Sequence, residues 1–217
     1  MIDIGNIKAL MVFADIEDFF YFTENLYNIK DWTIYDSSYK DRAESLEKYP
    51  YWTTLKEMFN EKELIYWNIG DEQLVSFFDT MSIMYKVFKK INEKTIINEM
   101  KIIMEYRIPA PNKPRADYLL CYRNNIIIVE CSKVSDINKM RNTTAKKAQE
   151  LAQYKEQLIS VLCSDNIKII CHPCIYLHDN SRDNKLKNQE VIDQMLDCIN
   201  RHFVRCKNAF EILRDIK

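Results

Sequence analysis

Over the first 90 or so residues, apolar side chains recur at three- and four-residue intervals, the period of helices that bury one face. "AESLEKYPYWTTLKEMFNEKELIYW" and "DEQLVSFFDTMSIMYKVFKKINEK" show it most clearly. In the second, Leu74, Phe77, Phe78, Met81, Met84, Tyr85 and Phe88 form one stripe, which predicts core packing rather than a ligand box. The pattern changes near Thr95. "TIINEMKIIMEYRIPAP" reads as a helix end or turn followed by a strand, and Pro109, Pro111 and Pro114 then interrupt regular structure. "RADYLL" and "NNIIIVEC" are β-rich and joined by the polar turn "YRNN". "TTAKKAQELAQYKEQLISVLC" returns to helical period, with Thr143 or Thr144 as the predicted N-cap. "IKIICHPCIYL" reads as a strand, and "NQEVIDQMLDCINRHFVRCKNAFEILRDI" as one long or two short helices. From about residue 100 the order is β-β-β-α-β-α, which predicts an α/β fold with helices covering a sheet. The expected division is a mainly helical region over 1–92 followed by an α/β core over 93–217.

Composition narrows the function classes. With 217 residues, 47% hydrophobic and 29% charged, the chain suits one sizeable soluble domain. No apolar run approaches the roughly 20 residues that span a bilayer, and "MIDIGNIKALMVFADIEDFF" carries acids where a signal peptide would be apolar. A cytoplasmic protein without a membrane partner is therefore expected. Seven cysteines, an odd number, fit reduced thiols better than a disulfide framework. "CHPC" at 171–174 lacks a second pair at zinc spacing, so ordinary strand cysteines are expected there. The two glycines, Gly5 and Gly70, are too few and too far apart for a P-loop, a dinucleotide-binding turn or a nucleophile elbow. A net charge of −1 gives no global electrostatic drive towards nucleic acid. Between 133 and 155, however, Lys133, Lys139, Arg141, Lys146, Lys147 and Lys155 make a mild local enrichment.

The stretch "RADYLLCYRNNIIIVECSK" concentrates the candidate chemistry. Asp117 lies in its first strand. Glu130 follows four branched apolar residues at the end of the second, where a buried charge is costly unless a cation meets it. Strand alternation places Ile126, Ile128, Glu130 and Ser132 on one face, and Ile127, Val129, Cys131 and Lys133 on the other. Only a bulge would turn Lys133 towards Glu130. On the following helix, Ala148, Leu151, Ala152, Leu158, Ile159 and Leu162 form a predicted apolar arc, with Lys155 near its middle and Lys147 at its edge. A lysine so placed must snorkel out or meet a carboxylate.

"PRAD" followed by "IIIVE", with Asp on the second strand, Glu on the third and "KKAQELAQYKEQL" as the next helix, resembles the PD-(D/E)XK nuclease superfamily over about residues 93–180. The resemblance implies a restriction-endonuclease-like core and metal-dependent hydrolysis of phosphodiester bonds, with DNA ahead of RNA as substrate. It implies Mg²⁺ or Mn²⁺ held by Asp117 and Glu130, assisted by Glu99 or, behind it, Glu105. This sequence departs from the pattern at the lysine: the motif reads E-C-S-K, with Ser132 in the expected position and Lys133 one residue late. A lysine lent by the helix is a known rearrangement in the superfamily. Lys155 is the preferred candidate, ahead of Lys133. Lys147, Gln153 and Tyr154 on the same helix are the candidates for contact with nucleic acid. The competing reading is a catalytically inactive module of this fold that binds nucleic acid or a protein partner. A third takes the aromatic-rich first half as an interaction surface or homodimer seam.

Overall fold

The computed structural model describes residues 8–204 apart from 28, 33–37, 62–69, 111, 113, 163–165 and 179–180. Five strands form a single mixed sheet in chain order: β1 (Met11–Phe13), β2 (Lys101–Arg107), β3 (Arg115–Tyr122), β4 (Asn125–Val134) and β5 (Lys168–Leu177). Neighbours from β1 to β4 run antiparallel. β5 is parallel to β4, as it must be once α6 (Ile137–Leu162) has crossed between them. β5 is an edge strand and so tolerates Pro173.

Strand alternation divides the core into two layers. Tyr118, Leu120, Tyr122, Ile127 and Val129 face a large cluster built with α4 (Asp71–Phe88), α1 (Ile16–Tyr27), α2 (Tyr39–Leu46) and α7 (Arg182–Ile199). Leu119, Cys121, Ile126 and Ile128 face a smaller one built with Leu151 and Leu158 of α6. The predicted stripe of α4 is buried throughout, and its neighbours are buried too, so α4 is a central helix rather than an amphipathic surface one. α3 (Pro50–Glu61) and α5 (Lys94–Glu99) complete the described helices, besides short 3₁₀ and π turns. None of the described helices is long and apolar enough to cross a membrane.

Several details differ from expectation. The helical region contributes a strand: Met11–Phe13 pairs with β2 through Met11↔Met104 and Phe13↔Ile102. Three residues are too few for alternation to show in the sequence. Regions 1–92 and 93–217 also share one core, which runs from Leu10 to Phe203. α6 starts at Ile137, well before Thr143 or Thr144, and the Asp136 carboxylate accepts from the N–H groups of Asn138 and Lys139 as its cap. Its first turns carry exposed Asn138, Lys139, Arg141 and Asn142, and so lack the apolar period that would have announced them. The "CHPC" segment lies within β5, and Cys121, Cys131, Cys171, Cys174 and Cys198 are free thiols. Cys163, Cys206 and the end of the last predicted helix lie outside the described residues.

Candidate active site

β3 and β4 pair from the turn at Tyr122↔Asn125 as far as Tyr118↔Val129, where their ladder stops. Beyond it, β3 stays with β2 through Ala116 and Arg115, and β4 stays with β5 through Val134↔Leu177. The sheet therefore splits at this end. Side chains bridge the opening: the Asp117 N–H donates to Glu130 Oε1 at 3.1 Å, and the Cys131 N–H donates to Asp117 Oδ2 at 2.7 Å. Two carboxylates thus take the places that carbonyl oxygens hold elsewhere in the ladder. That satisfies backbone donors which would otherwise be stranded beside a buried cleft.

A third carboxylate comes from β2. The β2–β3 register passes from Met104↔Tyr118 to Tyr106↔Ala116, so Glu105 stands opposite Asp117. Glu105 has φ of 56°, in the left-handed region that side-chain-bearing residues seldom occupy within a strand. The conformation costs on the order of 1–3 kcal/mol, and such strain gathers at functional sites. It also shifts the strand's alternation, since Met104 packs on the α4 side while Tyr106 joins the α6 side. Glu105 is only 2% exposed and forms an ion pair with Arg115.

The lysine that meets these acids comes from α6, and it is Lys147. Its Nζ lies 2.9 Å from Glu130 Oε2 and 3.0 Å from Glu150 on the same helix. Lys147, Glu150, Leu151, Tyr154 and Leu158 follow helical spacing and make the sheet-facing stripe; of these Leu151 and Leu158 are fully buried. Lys155 does not join it. It is exposed, as are Ala148, Ala152 and Ile159, so the true arc is rotated from the one predicted. Counting alanines and Ile159 as core moved the predicted centre towards Lys155. Gln153 is likewise exposed, whereas Tyr154 lines the site.

Glu99 ends α5, at the other end of β2 from Glu105. It is about half exposed and pairs with Arg123 at 3.6 Å, so the third carboxylate is Glu105 instead. Lys133 lies in regular register with Tyr176 of β5, with no bulge, and faces the α4 side. Its Nζ sits 3.4 Å from the centroid of the Tyr39 ring, at the start of α2. Expectation had Lys133 turned away from Glu130, and that is its position.

The split opens a pocket of about 370 Å³ whose walls come from both faces of the sheet. On the α6 side stand Glu105, Arg115, Asp117, Glu130, Lys147 and Tyr154. Opposite are Tyr39, Gln73, Ser76, Thr80, Lys133 and Tyr176. Burial, then the Asp117 carboxylate, pushes Glu130 up to about 8 against the pull of Lys147. Burial also raises Asp117, opposed by the Cys131 N–H, and raises Glu105 well above the ordinary range, opposed by Arg115. Tyr154 is pushed up to about 12 by burial and then by Glu130. Lys147 is held above its ordinary value because Glu130 and Glu150 outweigh its own burial.

Charge balance tests whether a divalent cation fits. Glu105, Asp117, Glu130 and Glu150 meet three cations, Arg115, Lys147 and, 3.9 Å from Glu150, Lys146, leaving one excess negative charge if all ionise. A divalent ion more than offsets that charge, and Mg²⁺ asks for only one or two carboxylates besides water and phosphate oxygens. Among the described residues no three Cys, His, Asp or Glu side chains converge as a ready-made cage. The donor set fits a cation held chiefly by two carboxylates, Asp117 and Glu130.

Arg115 and Glu105 are the residues that sequence reasoning undervalued. Arg115 was legible as the first letter of "RAD". The positive φ that turns Glu105 to the site has no signature in sequence. No protein-family model and no curated protein matches the chain.

Proposed function

We propose that the chain is a metal-dependent nuclease of the PD-(D/E)XK kind with its lysine supplied by the following helix. The observation that carries the reading is the contact between Lys147 and Glu130 at the split end of β4, beside Asp117. It supplies from α6 the amine that the motif E-C-S-K lacks at Ser132. The β2-β3-β4-α6-β5 order also supports a restriction-endonuclease-like core, with Asp117 on the second strand of the unit and Glu130 on the third.

Asp117 and Glu130 would hold Mg²⁺ or Mn²⁺, with Glu105 behind them. The ion, when bound, polarises a phosphoryl oxygen and makes water nucleophilic near neutral pH. Lys147, kept protonated by its two carboxylate neighbours, stands ready to neutralise charge that grows on the phosphate. Arg115 holds Glu105 and adds a second positive charge beside Asp117. Tyr154, protonated at neutral pH, offers its hydroxyl as a donor to the same space. Glu105 and Glu130 are almost wholly buried, which strengthens their interactions with these groups. Nucleic acid is the substrate class, with DNA the first to test.

A second reading, a binding module without catalysis, is favoured by one feature: the Lys147–Glu130 ion pair satisfies both groups without a cation. Labelled single- and double-stranded DNA and RNA, incubated with Mn²⁺ or Mg²⁺, separate the two. Cleavage that disappears in Glu130→Gln and in Lys147→Met supports the nuclease. Absence of cleavage from folded wild type, with binding retained in Glu130→Gln, selects the binding module.

A further inference from the structure

The wall of the pocket facing the carboxylates has no part in the chemistry just described. It is nevertheless built: α2 supplies Tyr39, α4 supplies Gln73 and Ser76, and β4 supplies Lys133. Lys133 crosses the Tyr39 ring at 3.4 Å and, among the described residues, forms no salt bridge. Carboxylates do stand in the neighbourhood, since Asp79 and Glu72 both act on it electrostatically, against Arg42 and its own burial. An ammonium held by an aromatic ring instead of a carboxylate stays available to an anion entering the pocket.

Size points the same way. Glu105 and Glu130 are each 2% exposed, so a phosphate must come into the pocket to reach them. A pocket of about 370 Å³ is in the range that holds one small molecule, such as a nucleotide, and is too small to admit two paired strands to its floor. We infer that this pocket takes one nucleotide of a single-stranded nucleic acid, and that Lys133, fixed by Tyr39, binds the phosphate next to the reacting one. Sugar and base then meet Gln73 and Ser76, whose polar side chains suit either. A duplex enters only at a frayed end or by extruding a nucleotide, which costs a few kcal/mol. Lys147 stands on one wall and Lys133 on the other, so a strand entering the pocket meets a cation on each side.

The position of the reacting phosphate rests on the nuclease reading, whereas strand binding is measured without cleavage. Fluorescence anisotropy in EDTA, with the full chain, compares a labelled single-stranded DNA 12-mer, the same sequence as RNA, and the DNA annealed to its complement. The expected result is tighter binding of a single strand than of the duplex, with the DNA and RNA arms identifying which strand. Lys133→Met weakens single-strand binding roughly tenfold, the loss of about one phosphate contact, and reduces the salt dependence by about 0.7 in log–log slope. Lys133→Arg and Tyr39→Phe retain most of the affinity and guard against a folding artefact. Equal or tighter duplex binding, or an unchanged salt slope in folded Lys133→Met, overturns the inference. Lys133-dependent strand binding without metal-dependent cleavage sinks only the nuclease reading. Cleavage that needs Glu130 but is indifferent to Lys133, with unchanged strand affinity, sinks only this one.

Discussion

Acids lie at two places in this molecule with opposite surroundings. Asp79 on α4 is fully enclosed, and its carboxylate takes a two-nitrogen fork from Arg42 and the indole N–H of Trp32 at 2.9 Å. The Arg42 guanidinium also lies over the Trp32 ring. One acid meets one base, with neutral donors filling in, and the cluster ties α2 and the 3₁₀ turn Ile29–Asp31 to the central helix. At the split of β3 and β4, three acids crowd one pocket, where Arg115 pairs with Glu105 and Lys147 with Glu130 while Asp117 has no ion pair of its own among the described residues. The first arrangement is what a fold does with a charge it must bury. The second crowds Asp117 with two further acids next to open space, and the backbone of one of them, Glu105, is strained. That asymmetry separates a structural acid from a candidate working one, where burial alone would have ranked Asp79 first.

Exchanging amide for carboxylate at each place breaks the comparison most sharply. Glu130→Gln is expected to lower metal-dependent cleavage by roughly a hundredfold or more while the protein stays folded. Lys147→Met is expected to act in the same direction, at about a hundredfold, with single-turnover rates as the readout. Asp79→Asn should do the reverse. It strands Arg42 in the core and is expected to cost about 3–5 kcal/mol in urea unfolding, with cleavage per folded molecule retained. Loss of activity in a fully folded Asp79→Asn protein would remove the distinction.

The sequence carried the scaffold of this site better than its details. "IIIVE" placed a charge directly after four buried branched residues, and that point within β4 is where the pocket opens. "RAD" put Asp117 beside it, and the even spacing of β4 settled that Lys133 faces away. Which lysine of α6 reaches the acids depended on the phase of a 26-residue helix whose alanines fit either face. Only contact with the sheet fixes that phase, through Leu151 and Leu158. Glu105 depended on a single backbone angle, set by tertiary packing and invisible to pattern. β1 was hidden by its brevity, and the partnership of Tyr39 with Lys133 by the 94 positions that separate them.

pH gives a milder test of the same asymmetry. Glu130 ionises near 8 when folded and near 4.5 as an ordinary glutamate, because burial and Asp117 disfavour its charge. Between these values the folded chain keeps a proton that the unfolded chain has released. The stability this provides is complete below about 4.5 and is lost as pH rises through 8. Metal must displace that proton, so Mn²⁺ affinity should climb with pH, by at most about tenfold per unit, and level off above 8. Calorimetric titrations from pH 6 to 9 measure it. A flat profile would mean that Glu130 does not hold the ion.

The smallest expected effect is the most specific. Lys155 and Lys147 sit two turns apart on α6, and only the second touches a carboxylate of the pocket. Lys155→Met removes a charge from the exposed side of the helix, where substitutions usually shift stability by no more than about 0.5 kcal/mol. Cleavage rates and melting temperature should both stay close to wild type. The contrast with Lys147→Met isolates position from charge, because the two variants lose the same group from the same helix. Equal losses in both would mean that the helix acts through a general basic field, and the tight Lys147–Glu130 pair would then have no special part in the chemistry.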